Sequence, residues 1–138
     1  MESFIAVIDG QGGGIGKSLV EKLRRALPNI HIRALGTNSL ATSAMLKGGA
    51  DDGATGENAI VLNARKAQII VGVVPILMPH GILGELTPKM AEAIGESDAL
   101  KILIPVNRCH IRVAVPEEGT LPQCIEKAVA LCVEHFQQ

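Results

Sequence analysis

The chain has no tryptophan and no tyrosine, and its only phenylalanines are Phe4 and Phe136. Any mechanism that needs a tyrosine acid is therefore excluded. A base-stacking platform for single-stranded nucleic acid is excluded on the same ground. Cysteine is scarce too: Cys109, Cys124 and Cys132. An odd count at these spacings fits neither a disulfide framework nor a zinc site, and it points to a reducing, cytoplasmic compartment. Neither sign of charge is in excess, since the formal net charge is −1. That argues against a general nucleic-acid binder and against a polybasic membrane anchor. Long apolar runs are missing as well. The longest, Ile69 to Pro79, contains two prolines and is too short to span a bilayer. An acidic residue follows Met1 and the first apolar run is short, so no signal peptide is expected.

What is present is a chain of 138 residues, 47% hydrophobic and 20% charged, with 15 glycines. This is the size and composition of one folded domain, residues 1–138, with enough aliphatic side chain for a core. Phe4 to Ile8 reads as a buried central strand closed by Asp9 and a glycine cluster. Lys17 to Leu27 has Val20, Leu23 and Leu27 on one helical face, and Pro28-Asn29 stops it. Ile30, Ile32 and Ala34 alternate with polar residues as a second strand. A short helix to Lys47 follows Gly36-Thr37-Asn38-Ser39, and Gly48 to Gly56 reads as a Gly-rich acidic loop. A short helix over Glu57–Arg65 comes next, with Thr55 its candidate cap, and Gln68 to Val74 is a third strand. After the apolar loop 75–84, Thr87-Pro88 opens a helix as N-cap and first-turn proline. Lys101 to Val106 is a fourth strand. Ile111 to Val115 follows too closely for a parallel crossover, so it is expected as an antiparallel fifth strand. Thr120 and Gln123 form a capping box for a final amphipathic helix.

Alternating strands and helices predict an α/β fold: a single Rossmann-like three-layer domain with a mainly parallel sheet, order 2-1-3-4, and an antiparallel fifth strand. Ligands of such sheets bind beyond the carboxyl ends of the strands, where the order reverses. That places residues 10–17 and 73–84 around one crevice.

The segment most suggestive of function is Gly10, Gln11, Gly12, Gly13, Gly14, Ile15, Gly16 and Lys17, between a strand and a helix. Five glycines in seven residues allow close backbone approach, and a helix N-terminus favours an anion, so phosphate is the expected guest. Gly10, Gly14 and Gly16 resemble the nicotinamide-dinucleotide loop of short-chain dehydrogenases, although their tyrosine–lysine catalytic pair has no tyrosine here. Gly16-Lys17-Ser18 looks like the tail of a P-loop, but Gln11 stands where its first glycine belongs. Neither strand end offers an acid for Mg²⁺. Thr37, Asn38 and Ser39 supply hydroxyls and an amide after the second strand, with no acid. This pattern suits the 2′-phosphate of NADP(H), and it equally suits an ordinary helix cap. His80, Arg108, Cys109 and the Asp51–Asp52 pair are candidates for acid–base, anion-clamping, nucleophilic and metal roles respectively. Each is also accounted for by loop or surface chemistry, so no catalytic residue and no metal site is assigned.

The stretches 7–17, 34–38, 41–47, 53–60 and 104–109 resemble, over nearly the full length, a family of small bacterial proteins known only as a domain of unknown function. The resemblance implies one Rossmann-like domain and no established activity. Residues 72–107, with Ala91-Glu92-Ala93-Ile94 and Ser97, look like the corresponding part of the phospholactate transferase group, which binds phosphorylated ligands.

Three functional readings follow. One is a domain that binds a phosphorylated nucleotide, NADP(H) foremost. Another is a ligand-sensing regulatory or scaffold protein. The last is a phosphoryl- or nucleotidyl-handling enzyme using Lys17. The apolar run 73–84 is larger than a small domain absorbs easily, so a homo-oligomer, dimer or higher, is expected through it.

Overall fold

The computed structural model describes residues 3–106, 110–117 and 119–138. Strand β1 (Phe4–Asp9) is buried at every residue, so it must be covered on both faces and flanked on both edges. The order along the chain is β1, α1 (Gly14–Ala26), β2 (His31–Gly36), α2 (Ser39–Lys47), β3 (Asp52–Thr55) and α3 (Glu57–Ala64). It continues with β4 (Ile69–Val73), a 3₁₀ turn (Val74–Leu77), α4 (Pro88–Glu96), β5 (Leu100–Ile104) and α5 (Leu121–Phe136). The sheet runs β3-β2-β1-β4-β5 and every pairing is parallel.

Two cores lie on opposite faces of this sheet. One joins Ile5, Val7, Ile32, Ala34, Ile69 and Val71 to Leu19 and Leu23 of α1, Met45 of α2, and Ile125 and Cys132 of α5. The other joins Ala6, Ile8, Leu35 and Ile70 to Ile60 of α3 and Met90 and Ile94 of α4. Alternate residues of each strand feed alternate cores, which is the period of two expressed on a doubly covered sheet. Burial of each large aliphatic side chain stabilises the fold by about 1.5–3 kcal/mol. The Cys132 thiol lies in this interior, and burial pushes its pKa up to about 12, so it behaves as an apolar core group.

Two sequence expectations are corrected. Residues 52–55, read as part of a loop, form edge strand β3, hydrogen-bonded to β2 from Arg33–Asp52 to Gly36–Thr55. The cause is tertiary. β2 is buried along its inner length and needs a partner on its outer edge, and the small residues Gly53 and Ala54 let a strand lie there. A Cβ on Gly53 would come 2.9 Å from Thr42 Cγ2. The expected antiparallel strand 111–115 is absent: that segment is exposed and has no strand pairing. The sheet order 2-1-3-4 with an antiparallel fifth strand is therefore replaced by five parallel strands, with β3 outside β2. In addition, α3 starts after Gly56 rather than on a Thr55 cap. No helix among the described residues is long and apolar enough to cross a membrane.

Candidate functional site

The carboxyl ends of β1, β4 and β5 open onto a crevice of about 870 Å³. Its floor is Asp9, Gly10, Gln11 and Ile15, where β1 turns into α1. One wall is the loop after β4, from Pro75 through Met78, His80 and Ile82 to Leu83. The far side is Pro105 and Val106 after β5, with His110 and the start of α5 at Gly119, Leu121 and Cys124. The crevice lies at the switch point, between the strand that leads to β2 and the strand that leads to β5.

The glycine loop forms a tight turn, with Gly13 N–H donating to Gly10 O at 3.0 Å and Gly13 in the left-handed region at φ 73°. Helix α1 begins at Gly14, and the carboxyl group on its first turn belongs to the protein itself. Asp9 is buried, and its two carboxylate oxygens accept from Gly10 N–H at 2.8 Å and Gly16 N–H at 2.7 Å. Desolvation by burial raises the Asp9 pKa above the ordinary carboxylate value, and the charge of Glu85 adds to the rise. The two backbone N–H bonds act in the opposite direction.

Gly13 and Gly16 serve packing. A Cβ on Gly13 would come 2.8 Å from Ala41 Cα, and one on Gly16 would come 2.6 Å from Met45 Sδ, so these glycines let α1 and α2 approach. Gly12 and Gly14 have open space above them. Lys17 is exposed on α1 with its stem against Gly48 at the end of α2, and it does not line the crevice. Lys17 is the fourth residue of α1, and the loop before it closes on the Asp9 carboxyl.

Thr37 and Asn38 meet a carboxylate that no local sequence pattern announced. Glu85 Oε1 accepts from Thr37 Oγ1 at 2.6 Å, Asn38 Nδ2 at 2.7 Å and Gln11 N–H at 3.0 Å. The Thr37 hydroxyl holds the Glu85 pKa below its ordinary value, with Gln11 N–H and Asn38 adding to the effect against partial desolvation. Asn38 also caps α2, its Oδ1 accepting from Ala41 N–H at 2.9 Å. Its remaining amide hydrogen goes to Gln11 O at 3.0 Å. Ser39 is exposed as the first residue of α2. The structure thus brings Gly10, Gln11 and Ile15 to the crevice. Thr37 and Asn38 lie behind Gly10 under Glu85, and Gly12, Gly13, Gly14, Gly16, Lys17 and Ser39 are left off the lining.

Among the other candidates, His80 lines the crevice from the wall loop, exposed and at φ 66°. Asp51 and Asp52 hold no metal-type cluster and instead bind β2. Asp51 pairs with Arg24 and accepts from Ile32 N–H, and Asp52 takes both arms of Arg33. His31 pairs with Asp52 at 3.0 Å. Among the described residues no group of three or more His, Cys, Asp or Glu side chains is placed to hold a metal ion. Asn107, Arg108 and Cys109 lie outside the described residues.

A doubly wound, all-parallel three-layer sheet with a crevice at its switch point defines a Rossmann- or flavodoxin-like α/β domain. The chain belongs to the family described as Domain of unknown function (DUF3842), whose model matches residues 4–137. No curated protein matches it in sequence. Among solved structures it is similar to a dodecameric FMN-dependent Ubix-like decarboxylase from Escherichia coli O157:H7. The identity is 12%, coverage is 99% of this chain and 94% of that one, and the TM-score is 0.54. A universal stress protein from Archaeoglobus fulgidus matches at 16% identity over 75% of this chain and 98% of that one, with a TM-score of 0.42. A universal stress protein in complex with cAMP matches at 18% identity, 74% and 98% coverage, and a TM-score of 0.38. At 12% identity the likeness to the Ubix-like decarboxylase is one of fold. The local likeness of residues 72–107 to the phospholactate transferase group is not among these findings.

Proposed function

We propose that this chain binds a nucleotide-type small molecule in the crevice at the carboxyl ends of β1, β4 and β5. The observation that carries the reading is the crevice itself. It has the volume of a small-molecule site, lies at the switch point, and is walled mainly by apolar side chains with Asp9, Gln11, His80 and His110 as the polar groups. Gly10, Gln11 and Ile15 form the floor. The exposed backbone at Gly12 and Gly14 is the remaining part of the glycine loop that a ligand phosphate can approach. NADP(H) is the finer reading from the sequence. FMN, on which the Ubix-like decarboxylase depends, is a natural second probe. The reading extends to binding and names no reaction. A homo-oligomer, with the exposed part of the 73–84 loop at or near the contact, belongs to the same proposal.

The test is the ultraviolet spectrum of the purified full chain, followed by calorimetry with FMN, AMP and NADPH. Without tryptophan or tyrosine the protein has almost no 280 nm band of its own, so a co-purifying nucleotide or flavin stands out. A spectrum without added chromophore, together with no heat from any of the three probes, would overturn the reading.

A further inference from the structure

A dinucleotide on a doubly wound sheet needs two half-sites along the carboxyl edge, one on each side of the glycine loop. In this protein the two sides differ. On the β4–β5 side lies the open crevice. On the β1–β2 side the loop after β4 folds back over the ends of both strands. Gly10 is packed beneath it: a Cβ there would lie 2.6 Å from Thr37 Oγ1 and 3.0 Å from both Glu85 Oε1 and Ile82 Cγ2. Three donors from two separate segments converge on the single oxygen Glu85 Oε1. The loop that delivers Glu85 is held by His80 N–H to Leu86 O at 2.8 Å and Leu86 N–H to Gly81 O at 3.0 Å. It also holds His80, Ile82 and Leu83 at positive φ, between 54° and 66°. For a β-branched residue such as Ile82 this conformation is costly and persists only where the surroundings impose it.

We propose that Glu85 seals the β1–β2 half of the carboxyl edge, so that the site takes a mononucleotide-sized ligand on the β4–β5 side and excludes the second half of a dinucleotide. The proposal rests on the nucleotide reading above and, within it, puts a mononucleotide in place of NADP(H). Thr37 and Asn38, which would otherwise suit a 2′-phosphate, already donate to a carboxylate. A phosphate placed there would face Glu85 at like charge, with its donors taken. NADPH is accordingly the least favoured of the common nucleotides.

Calorimetry on the full chain should show FMN or AMP binding at least about tenfold more tightly than NADH, and NADPH weaker still, as like-charge exclusion requires. Glu85→Gln, which removes charge and keeps length, and Glu85→Ala, which opens the space, should both shrink that ratio. Equal or tighter binding of a dinucleotide by the unmodified protein would overturn the proposal, and so would a ratio unchanged in both variants. A second arm needs no nucleotide: inorganic phosphate is titrated while the amide resonances of Gln11, Thr37 and Asn38 are followed by NMR. They should stay still in the unmodified protein and move in Glu85→Gln. Movement in the unmodified protein, or none in either, would sink the seal while leaving the nucleotide reading intact. If no nucleotide binds, the function reading falls and this second arm still decides the seal.

Discussion

Gly14 and Gly16 are two residues apart in one motif and have opposite physical roles. Open space surrounds Gly14, so Gly14→Ala at the first helical position should leave the fold intact and raise stability by about 0.4–1 kcal/mol. Gly16 abuts Met45 and Asp9, so Gly16→Ala forces an overpacked contact and should cost about 1–3 kcal/mol. Urea denaturation of both variants checks the pair, and equal effects would refute the packing account. The acids divide in the same way. Asp51, Asp52 and Glu85 have pKa values below their ordinary 3.8, 3.8 and 4.5, so each contributes stability at neutral pH that is lost as pH falls through its folded-state pKa. For Asp52 the cause is foremost the Arg33 hydrogen bond. For Asp51 burial opposes the shift, and the Ile32 N–H and Arg24 outweigh it. Asp9 has the opposite sign: its raised pKa contributes stability at low pH that is lost as pH rises through the folded value. Stability should therefore fall below about pH 4.5, and Glu85→Gln should flatten that limb. These groups are partly exposed and screened, so the change should stay under about 1 kcal/mol. A limb unchanged in Glu85→Gln would show that the Thr37 and Asn38 hydrogen bonds do not depress the Glu85 pKa.

The best-signalled elements are those that carry their own ends. Thr87 with Pro88 and Thr120 with Gln123 were legible as helix starts, and both Thr hydroxyls accept the expected backbone N–H, from Met90 and Gln123 respectively. Thr120 N–H donates in return to Gln123 Oε1 at 2.8 Å. Thr120→Ala should cost about 1 kcal/mol in thermal or chemical unfolding. Gly119, Leu121 and Cys124 line the crevice, so the same variant should weaken whatever ligand binds there. Wild-type stability in this variant would show that the cap contributes nothing. β3 was illegible for the converse reason. Asp52-Gly53-Ala54-Thr55 has no apolar alternation and poor strand propensity, and it pairs only because β2 presents an unfilled edge. Ile111 to Val115 has the alternation and the propensity and remains unpaired. Pattern gives a segment the capacity for a strand, and only a neighbouring edge at the right distance makes it one.

At the scale of the whole molecule, the apolar run 73–84 divides between interior and surface. Val73, Pro75 and Ile76 are buried, and Leu77 and Leu83 are exposed, Leu83 at 90%. The start of the run expected at a subunit contact is thus ordinary core, and the proposed homo-oligomer rests on the exposed and half-buried part that follows. Light scattering at micromolar concentration should give at least twice the 14.5 kDa chain mass, and Leu83→Glu should lower it without unfolding the domain. A monomer in the unmodified protein would overturn the assembly and leave Leu83 as part of the ligand wall. What the sequence determined by itself was local: the central apolar strand, the turn at the glycine loop, the helix caps and the amphipathic faces. Each depends on residues within a few positions of one another, where propensity and periodicity act. The character of the site was decided only by the tertiary structure. Glu85 lies 74 residues from Gln11 and 48 from Thr37, and Met45 meets Gly16 across two helices. No spacing rule links such residues. A carboxylate delivered from the loop after β4 turned an apparent phosphate cradle into a closed corner, because filling hydrogen-bond donors is a matter of proximity in space and is indifferent to distance along the chain.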